Sequence, residues 1–216
     1  MEDAARRCRV TLEGMEELFD VLDDRGVPTG ETKARARVHH DGDWHRSFHL
    51  WLVKEGRYVL LQRRAQSKDL EGGKVDVTVG GHFRAGESLD EVVREVEEEI
   101  GLFVRPGDLH HLETRQVERS YPDATDREFQ ETFVMRCEQP LEHYYLNCKE
   151  VTVLYEISVE GALDLYRHGT PYPAAGFDCQ GRTNNALLIE DDLIGQARAD
   201  VVETLEKIKA WTEKLD

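Results

Sequence analysis

The stretch from Gly80 to Leu102 reads Gly-Gly-His-Phe-Arg-Ala-Gly-Glu-Ser-Leu-Asp-Glu-Val-Val-Arg-Glu-Val-Glu-Glu-Glu-Ile-Gly-Leu. A glycine-rich turn opens it, a helix follows and a glycine ends the helix, as helix start and stop signals predict. At about 100° per residue, five apolar side chains form one stripe of this helix. They are Leu89, Val92, Val93, Val96 and Ile100. Four carboxylates share the neighbouring arc, namely Glu91, Glu95, Glu98 and Glu99.

This acidic edge requires an explanation, because carboxylates three and four residues apart on a helix repel one another. Those late in the helix also oppose its dipole. A divalent cation would convert the repulsion into binding, and clustered oxygen ligands suit Mg²⁺ or Mn²⁺. A glutamate-rich helix edge is also typical of a solvated surface, so the surrounding residues decide between the two interpretations.

The surrounding residues resemble the Nudix box, the signature of the Nudix hydrolase family. Its pattern is Gly-x5-Glu-x7-Arg-Glu-U-x-Glu-Glu-x-Gly-U, where U is apolar. Gly81 and Glu87 fit the first spacing, and every fixed position from Arg94 to Leu102 fits the second half. One departure is present, because six residues separate Glu87 from Arg94 where the family has seven. The shortening puts the expected ion pair between Glu87 and Arg94 in question, but so many fixed positions make the resemblance specific.

The resemblance implies a role for the matching residues. Glu95, Glu98 and Glu99 would hold Mg²⁺, or Mn²⁺, against the oxygens of a diphosphate, so that water attacks phosphorus. Arg94 would orient one of these carboxylates. Two residues are candidates for the general base: Glu98, and Glu131 on a later strand, which matches a distal carboxylate that several Nudix enzymes use.

Four further residues are predicted to lie beside the bound cation and phosphate. Gly81 would let the backbone approach the metal, and Glu87 belongs to the same loop. Arg63 and Arg64 sit at a strand edge and would clamp phosphate, although paired arginines are also typical of a solvated surface.

The resemblance extends over roughly residues 16 to 160. Segments such as Leu60-Leu-Gln-Arg-Arg and Val75-Asp-Val-Thr-Val-Gly-Gly-His are similar to the Nudix branch related to isopentenyl-diphosphate isomerase. It implies an α/β (α+β) fold, the Nudix α/β/α sandwich with a mixed sheet. The chain is expected to form one domain over 1–216, with N-terminal extension strands over 1–35 and a C-terminal loop and helix over 160–216.

Two chemistries compete within this branch. The isomerases use a cysteine at the position where this chain has Gly80, and without that thiol hydrolysis is the better interpretation. His45 and His82 fall where the isomerases place metal-binding histidines, although hydrogen-bonded structural roles are favoured for both. Of the two glutamate positions of that metal site, Glu131 fits one and Phe129 occupies the other.

The sequence therefore favours a Mg²⁺-dependent Nudix hydrolase that cleaves the diphosphate linkage of a small organic or nucleoside diphosphate. An isopentenyl-diphosphate isomerase-like enzyme is the first alternative. The second is a non-catalytic ligand-binding module on a Nudix scaffold, which the shortened box suggests and the retained glutamates oppose.

Composition limits the setting in which such an enzyme works. The chain of 216 residues has 39% hydrophobic residues and no apolar run of about 20 residues, so a cytoplasmic protein without a membrane segment is expected. A formal net charge of −16 opposes binding to nucleic acid. The four cysteines lack metal-site spacing and are predicted to be reduced thiols. A homodimer is suggested by the family resemblance alone.

The flanking segments are predicted from periodicity. Ser47 to Val53 and Tyr58 to Arg63 read as a hairpin, and Leu109 to Arg119, Glu128 to Cys137 and Val151 to Val159 read as strands. The region from Gly169 to Asn185 carries prolines and glycines and is predicted to be a long ordered loop. Apolar residues at helical spacing from Ile189 to Leu215 predict a long amphipathic helix.

Overall fold

One mixed sheet of eleven strands organises residues 17–214, the part of the chain that the computed structural model describes. The strands are Leu18–Leu22 (β1), Pro28–Ala34 (β2), Trp44–Lys54 (β3), Tyr58–Arg64 (β4), Val75–Asp76 (β5), Val79–His82 (β6), His110–Tyr121 (β7), Ala124–Arg136 (β8), Val151–Ser158 (β9), Tyr172–Asp178 (β10) and Ala186–Leu188 (β11). The helices are Arg35–Asp41 (α1), Leu89–Val92 (α2), Arg94–Ile100 (α3), Val159–His168 (α4) and Arg198–Thr212 (α5).

The central strand β3 determines how the sheet is assembled. It pairs antiparallel with β4 at the predicted hairpin and with β6 further back, and it pairs in parallel with β8 from Trp44 to Val53. β7 then pairs antiparallel with β8, and β9 pairs antiparallel with β4. The mixed sheet is therefore confirmed.

Alternation along β3 divides the apolar residues between two cores, because successive strand residues point to opposite faces. Leu50 and Leu52 belong to the core beneath α2 and α3, whereas Trp51 and Val53 belong to the core beneath α4 and α5. Helices thus cover both faces of the sheet, which confirms the predicted α/β/α sandwich.

The C-terminal amphipathic helix is present but shorter than predicted. α5 begins at Arg198, because the preceding residues form two 3₁₀ turns, Glu190–Asp192 and Gly195–Ala197. Its buried side chains recur at helical spacing and face α4 and the sheet: Val201, Thr204, Leu205, Ile208 and Thr212. Leu215 lies outside the described residues, as do residues 1–16 of the predicted 1–35 extension, so the domain limits remain a prediction.

The predicted loop from Gly169 to Asn185 is wrong in part, because strand β10 occupies Tyr172–Asp178 within it. This strand pairs antiparallel with β9 and with β11. Gly176 marks a close approach between chains rather than a break, since a side chain there would collide with the carbonyl oxygen of Asn184. Pro173 pairs with Leu187 in the short ladder to β11.

The prediction of reduced cysteines is also wrong for one pair, because Cys148 and Cys179 form a disulfide. The Cys179 amide donates to the Thr152 carbonyl beside β9, and this brings the two Cα atoms to 5.3 Å, within the range for disulfides. Sequence spacing alone does not reveal this contact, since 31 positions separate the two residues. Cys137 is free, and Cys8 lies outside the described residues.

No helix among the described residues is long and apolar enough to cross a membrane.

Candidate active site

The predicted box helix is broken at Val93, between α2 and α3. Despite the shortened spacing, Arg94 still reaches the loop before the helix. Its Nε donates to Glu87 Oε1 at 2.7 Å and its Nη2 donates to Glu87 Oε2 at 3.1 Å. The ion pair that the sequence put in question is therefore formed, in the bidentate geometry that fixes both groups.

Gly81 places Glu95 against the backbone of β6. A Cβ atom at Gly81 would lie 2.5 Å from Glu95 Cγ, so only glycine leaves room for this carboxylate. Glu95 also pairs with Arg94. Burial raises the pKa of Glu95 to about 7, although the Arg94 guanidinium opposes the shift.

The other two box glutamates differ in their surroundings. Glu98 accepts from Arg94 Nη1 at 3.1 Å, and 50% of its side chain is exposed. Glu99 is buried and accepts from Gln62 Nε2 at 3.3 Å. Burial, together with the nearby Glu95 carboxylate, raises the pKa of Glu99 to about 8. Ionising this group is therefore costly without a cation beside it.

All three box glutamates line one cavity of about 330 Å³. Among the described residues, however, their carboxylate oxygens do not come as close together as the ligand atoms of His39, His45, His82 and Asp126, which are described below. Arg94 draws Glu95 and Glu98 towards itself while Gln62 holds Glu99. Because carboxylates repel one another, a divalent cation would be needed to bring them together.

The two predicted arginines occupy different places. Arg64 lines the cavity and pairs with Asp76 at 3.1 Å. Arg63 does not line it, since its guanidinium binds Asp192 at 2.9 Å and the Gly73 carbonyl at 2.9 Å. Lys68 lines the cavity and pairs with Glu150.

A cluster of three histidines and an aspartate lies in the same region. α1, β3, β6 and β8 supply one residue each: His39, His45, His82 and Asp126. One ligand atom from each lies within 4.8 Å of all the others. The Nε2 atoms of the histidines and Oδ1 of Asp126 are buried and make no hydrogen bond. We call this group the histidine cluster.

The histidine cluster suits a cation. Burial lowers the pKa of His39 to about 4 and also lowers the pKa of His45 and of His82, so the rings are neutral ligands near neutral pH. Four buried atoms without hydrogen bonds are otherwise expensive, and a metal ion would satisfy them together.

Glu128 lies next to this cluster, with Oε1 3.3 Å from His82 Nε2. Burial would raise the pKa of Glu128, but the neighbouring His82 and Arg119 lower it well below its ordinary value. The Asp126 carboxyl shows the opposite shift, because burial and the Glu128 charge raise its pKa. One negative charge is thus kept on Glu128 beside the histidine cluster.

Sequence reasoning singled out His45 and His82 but favoured structural or substrate-contacting roles for them, and it missed His39, Asp126 and Glu128. The detectable signal was the period of two along β8, which places Asp126 and Glu128 on one face.

Glu131 lies on the opposite face of β8, so its predicted fit to the isomerase metal site is wrong. Its carboxylate accepts from Arg46 Nε at 2.8 Å and from Arg46 Nη2 at 2.7 Å. The same guanidinium stacks on the Phe83 ring at 3.7 Å. Glu131 does not line the cavity. Its role as a general base stays a prediction.

Comparison with known proteins identifies the family. The profile of the NUDIX domain matches residues 43–165. The chain belongs to the Nudix family. An uncharacterized Nudix hydrolase of Clostridium acetobutylicum is 34% identical over 148 residues, which are 67% of this chain and 71% of that protein. An isopentenyl-diphosphate Delta-isomerase of Burkholderia multivorans is also similar to this chain. The two are 37% identical over 89 residues, which cover 41% of this chain and 50% of the isomerase.

Solved structures support the Nudix fold. A crystal structure of a Deinococcus radiodurans protein aligns with a TM-score of 0.55 and 18% identity, and the alignment covers 89% of this chain and 99% of that one. Together, the family match and the hydrolase relative support an enzyme that hydrolyses pyrophosphate bonds.

Proposed function

We propose that this Nudix protein is a Mg²⁺-dependent hydrolase of a small organic or nucleoside diphosphate, with Mn²⁺ as the alternative cation. The observation that carries the proposal is the placement of Glu95, Glu98 and Glu99 in one cavity with Arg64 and Lys68. Carboxylates and cations at one end of a cavity of about 330 Å³ suit a substrate that combines a diphosphate with a small organic group.

In this proposal Glu95, Glu98 and Glu99 hold the cation. A bound cation would neutralise the charge of the diphosphate and activate water. Arg94, held by Glu87, positions Glu95 and Glu98.

We assign the phosphate oxygens to two of the cationic side chains that line the cavity, Arg64 and Lys68. Their present partners, Asp76 and Glu150, also line the cavity. Arg63 is not part of the proposed site, because Asp192 and Gly73 occupy its guanidinium.

Glu98 is the proposed general base. Of the three box glutamates it is the most exposed, and it lines the cavity. An exposed carboxylate can exchange its proton with solvent after each turnover.

The histidine cluster favours a second candidate function, carbon isomerisation of an allylic diphosphate. Gly80 argues against this second function, because it lines the cavity and supplies no thiol. Its neighbour across the ladder is His49, whose ring lies 3.6 Å from the position of a Cβ atom at Gly80.

The test is a hydrolysis screen with Mg²⁺ against nucleoside triphosphates, dinucleotides, sugar nucleotides, coenzyme A and thiamine or isoprenoid diphosphates. We expect phosphate or diphosphate release from at least one of them. Glu98→Gln is expected to lower kcat by roughly 10²–10⁴-fold, the usual contribution of a general base. Glu97→Gln is the matched control, because Glu97 is exposed on the same helix and does not line the cavity.

Two outcomes would contradict the proposal. Equal activity of Glu98→Gln and Glu97→Gln would remove Glu98 from the reaction. Deuterium uptake by isopentenyl diphosphate in D₂O, without phosphate release from any compound, would establish the isomerase instead.

A further inference from the structure

The wall of the cavity opposite the box helix is built by the C-terminal segment. Ile194, Ala197, Asp200, Val201 and Thr204 line this wall. These residues lie beyond the stretch 43–165 that matches the family profile.

Strand β7, which contacts α5 through Arg115 and Asp200, is separated from β6 by two strands. β6, β3, β8 and β7 are successive neighbours in the sheet. Because neighbouring strands lie about 4.8 Å apart, β7 lies about 14 Å from β6, where Gly81 contacts Glu95. A diphosphate held by the box glutamates would direct its organic group towards β7 and α5.

Arg119 on β7 is the cation at this far end. Only 11% of its side chain is exposed, and it lines the cavity. Its Nε is buried without a hydrogen-bond partner. Its Nη1 lies 3.5 Å from Glu128 and its Nη2 lies 3.8 Å from Asp200, both too far for strong hydrogen bonds. The guanidinium is thus buried and poorly satisfied.

Arg115 lies four positions before Arg119 on β7, and its guanidinium has close acceptors. Its Nη1 binds Asp200 at 2.9 Å, and its Nη2 binds Glu113 at 3.0 Å and Glu203 at 3.0 Å. Asp200 is therefore committed to Arg115 and leaves Arg119 with a long contact. Arg115 does not line the cavity.

We propose that Arg119 and the α5 wall form the subsite for the organic group of the substrate, and that Arg119 donates hydrogen bonds to an oxygen acceptor on that group. A ligand oxygen would give the Nη atoms a well-placed acceptor, whereas a hydrocarbon chain would leave the guanidinium with only its long contacts to Glu128 and Asp200. The substrates are therefore diphosphates whose organic part is rich in oxygen, rather than isoprenoid diphosphates. This inference rests on the proposed function of the same site.

The test compares three ligands that share a diphosphate: uridine diphosphate, isopentenyl diphosphate and inorganic diphosphate. Their dissociation constants are measured by calorimetry on the wild-type protein with Ca²⁺ in place of Mg²⁺, because Ca²⁺ binds carboxylates and diphosphate but activates bound water poorly and so limits turnover. We expect uridine diphosphate to bind at least tenfold more tightly than isopentenyl diphosphate. Arg119→Gln should abolish this preference and leave the affinity for inorganic diphosphate unchanged. Arg127→Gln is the control and should keep the preference, because Arg127 pairs with Glu118 and does not line the cavity.

The inference is overturned if Arg119→Gln keeps the preference, if it weakens inorganic diphosphate equally, or if neither organic diphosphate binds. Should Arg119→Gln fail to fold, Arg119→Lys retains the charge but loses the planar fork, and an unchanged preference in that variant overturns the inference as well. Hydrolysis by the wild-type protein is measured separately. Absence of hydrolysis with an intact binding preference would remove the proposed function and leave the subsite standing.

Discussion

At the scale of single residues, β8 carries two glutamates with opposite environments. Glu128 faces the histidine cluster and the cavity, and Glu131 faces the core beneath the box helix, where Arg46 holds it. Glu131 lies three positions after Glu128, an odd offset that puts the two side chains on opposite faces, because side chains alternate with a period of two. A register assigned from sequence alone is therefore easily wrong by one residue.

Glu131→Gln tests which face carries the chemistry. We expect kcat to fall by less than about tenfold, because the carboxylate is engaged by Arg46 and not by the cavity, and acid–base groups contribute far more than this. The loss of unfolding free energy should be about 1 kcal/mol or less, since both partners are partly exposed. Steady-state kinetics and urea unfolding measure the two effects. A loss of kcat as large as that of Glu98→Gln would make Glu131 the base.

At the scale of elements, α5 joins the domain core through a short set of apolar side chains. Leu205 is fully buried on the face towards α4 and the sheet, whereas Val202 on the same helix is only partly buried. The helix is thus expected to unfold together with the sheet rather than as a separate unit.

Leu205→Ala should lower the free energy of unfolding by about 2–5 kcal/mol, because it removes buried methyl groups and leaves a cavity. Val202→Ala is the control and should cost less. Urea unfolding followed by tryptophan fluorescence and by circular dichroism measures both variants. Separate transitions for the two probes would show instead that α5 is an independent unit.

Elements and site differed in how far the sequence could predict them. β3, β4 and β9 are dense in apolar residues, so local patterning was sufficient. β10 was missed because its proline and glycine signal a loop, whereas its ladders with β9 and β11 make it a strand. The box glutamates were found from spacing within one helix. The histidine cluster combines four elements from His39 to Asp126, and a fold-level register was needed to assemble it.

At the scale of the whole molecule, the Cys148–Cys179 disulfide joins the segment beside the box helix to the end of β10, which lies beyond the residues 43–165 that match the family profile. The Asn147 amide donates to the Glu99 carbonyl at 2.9 Å, and Asn147 also lines the cavity. The disulfide therefore ties the distal strand β10 to the margin of the site.

Reduction of this disulfide should lower the free energy of unfolding by about 3–4 kcal/mol, the value that loop-closure entropy gives for a loop of this length. Thermal melting with and without dithiothreitol measures the difference. Cys148→Ser should abolish the dependence on reductant, and Cys137→Ser should retain it. Identical melting of the wild-type protein in both conditions would restore the prediction of reduced thiols.

The break at Val93 bears on how relatives of this chain are found. A search pattern that demands seven residues between the box glutamate and the arginine rejects this sequence, although Glu87 and Arg94 meet in the structure. The usual spacing brings the glutamate and the arginine into contact, and here the helix interrupted at Val93 forms the same contact with one residue fewer. Patterns that permit a gap at this position will therefore recover chains that a fixed-length signature discards.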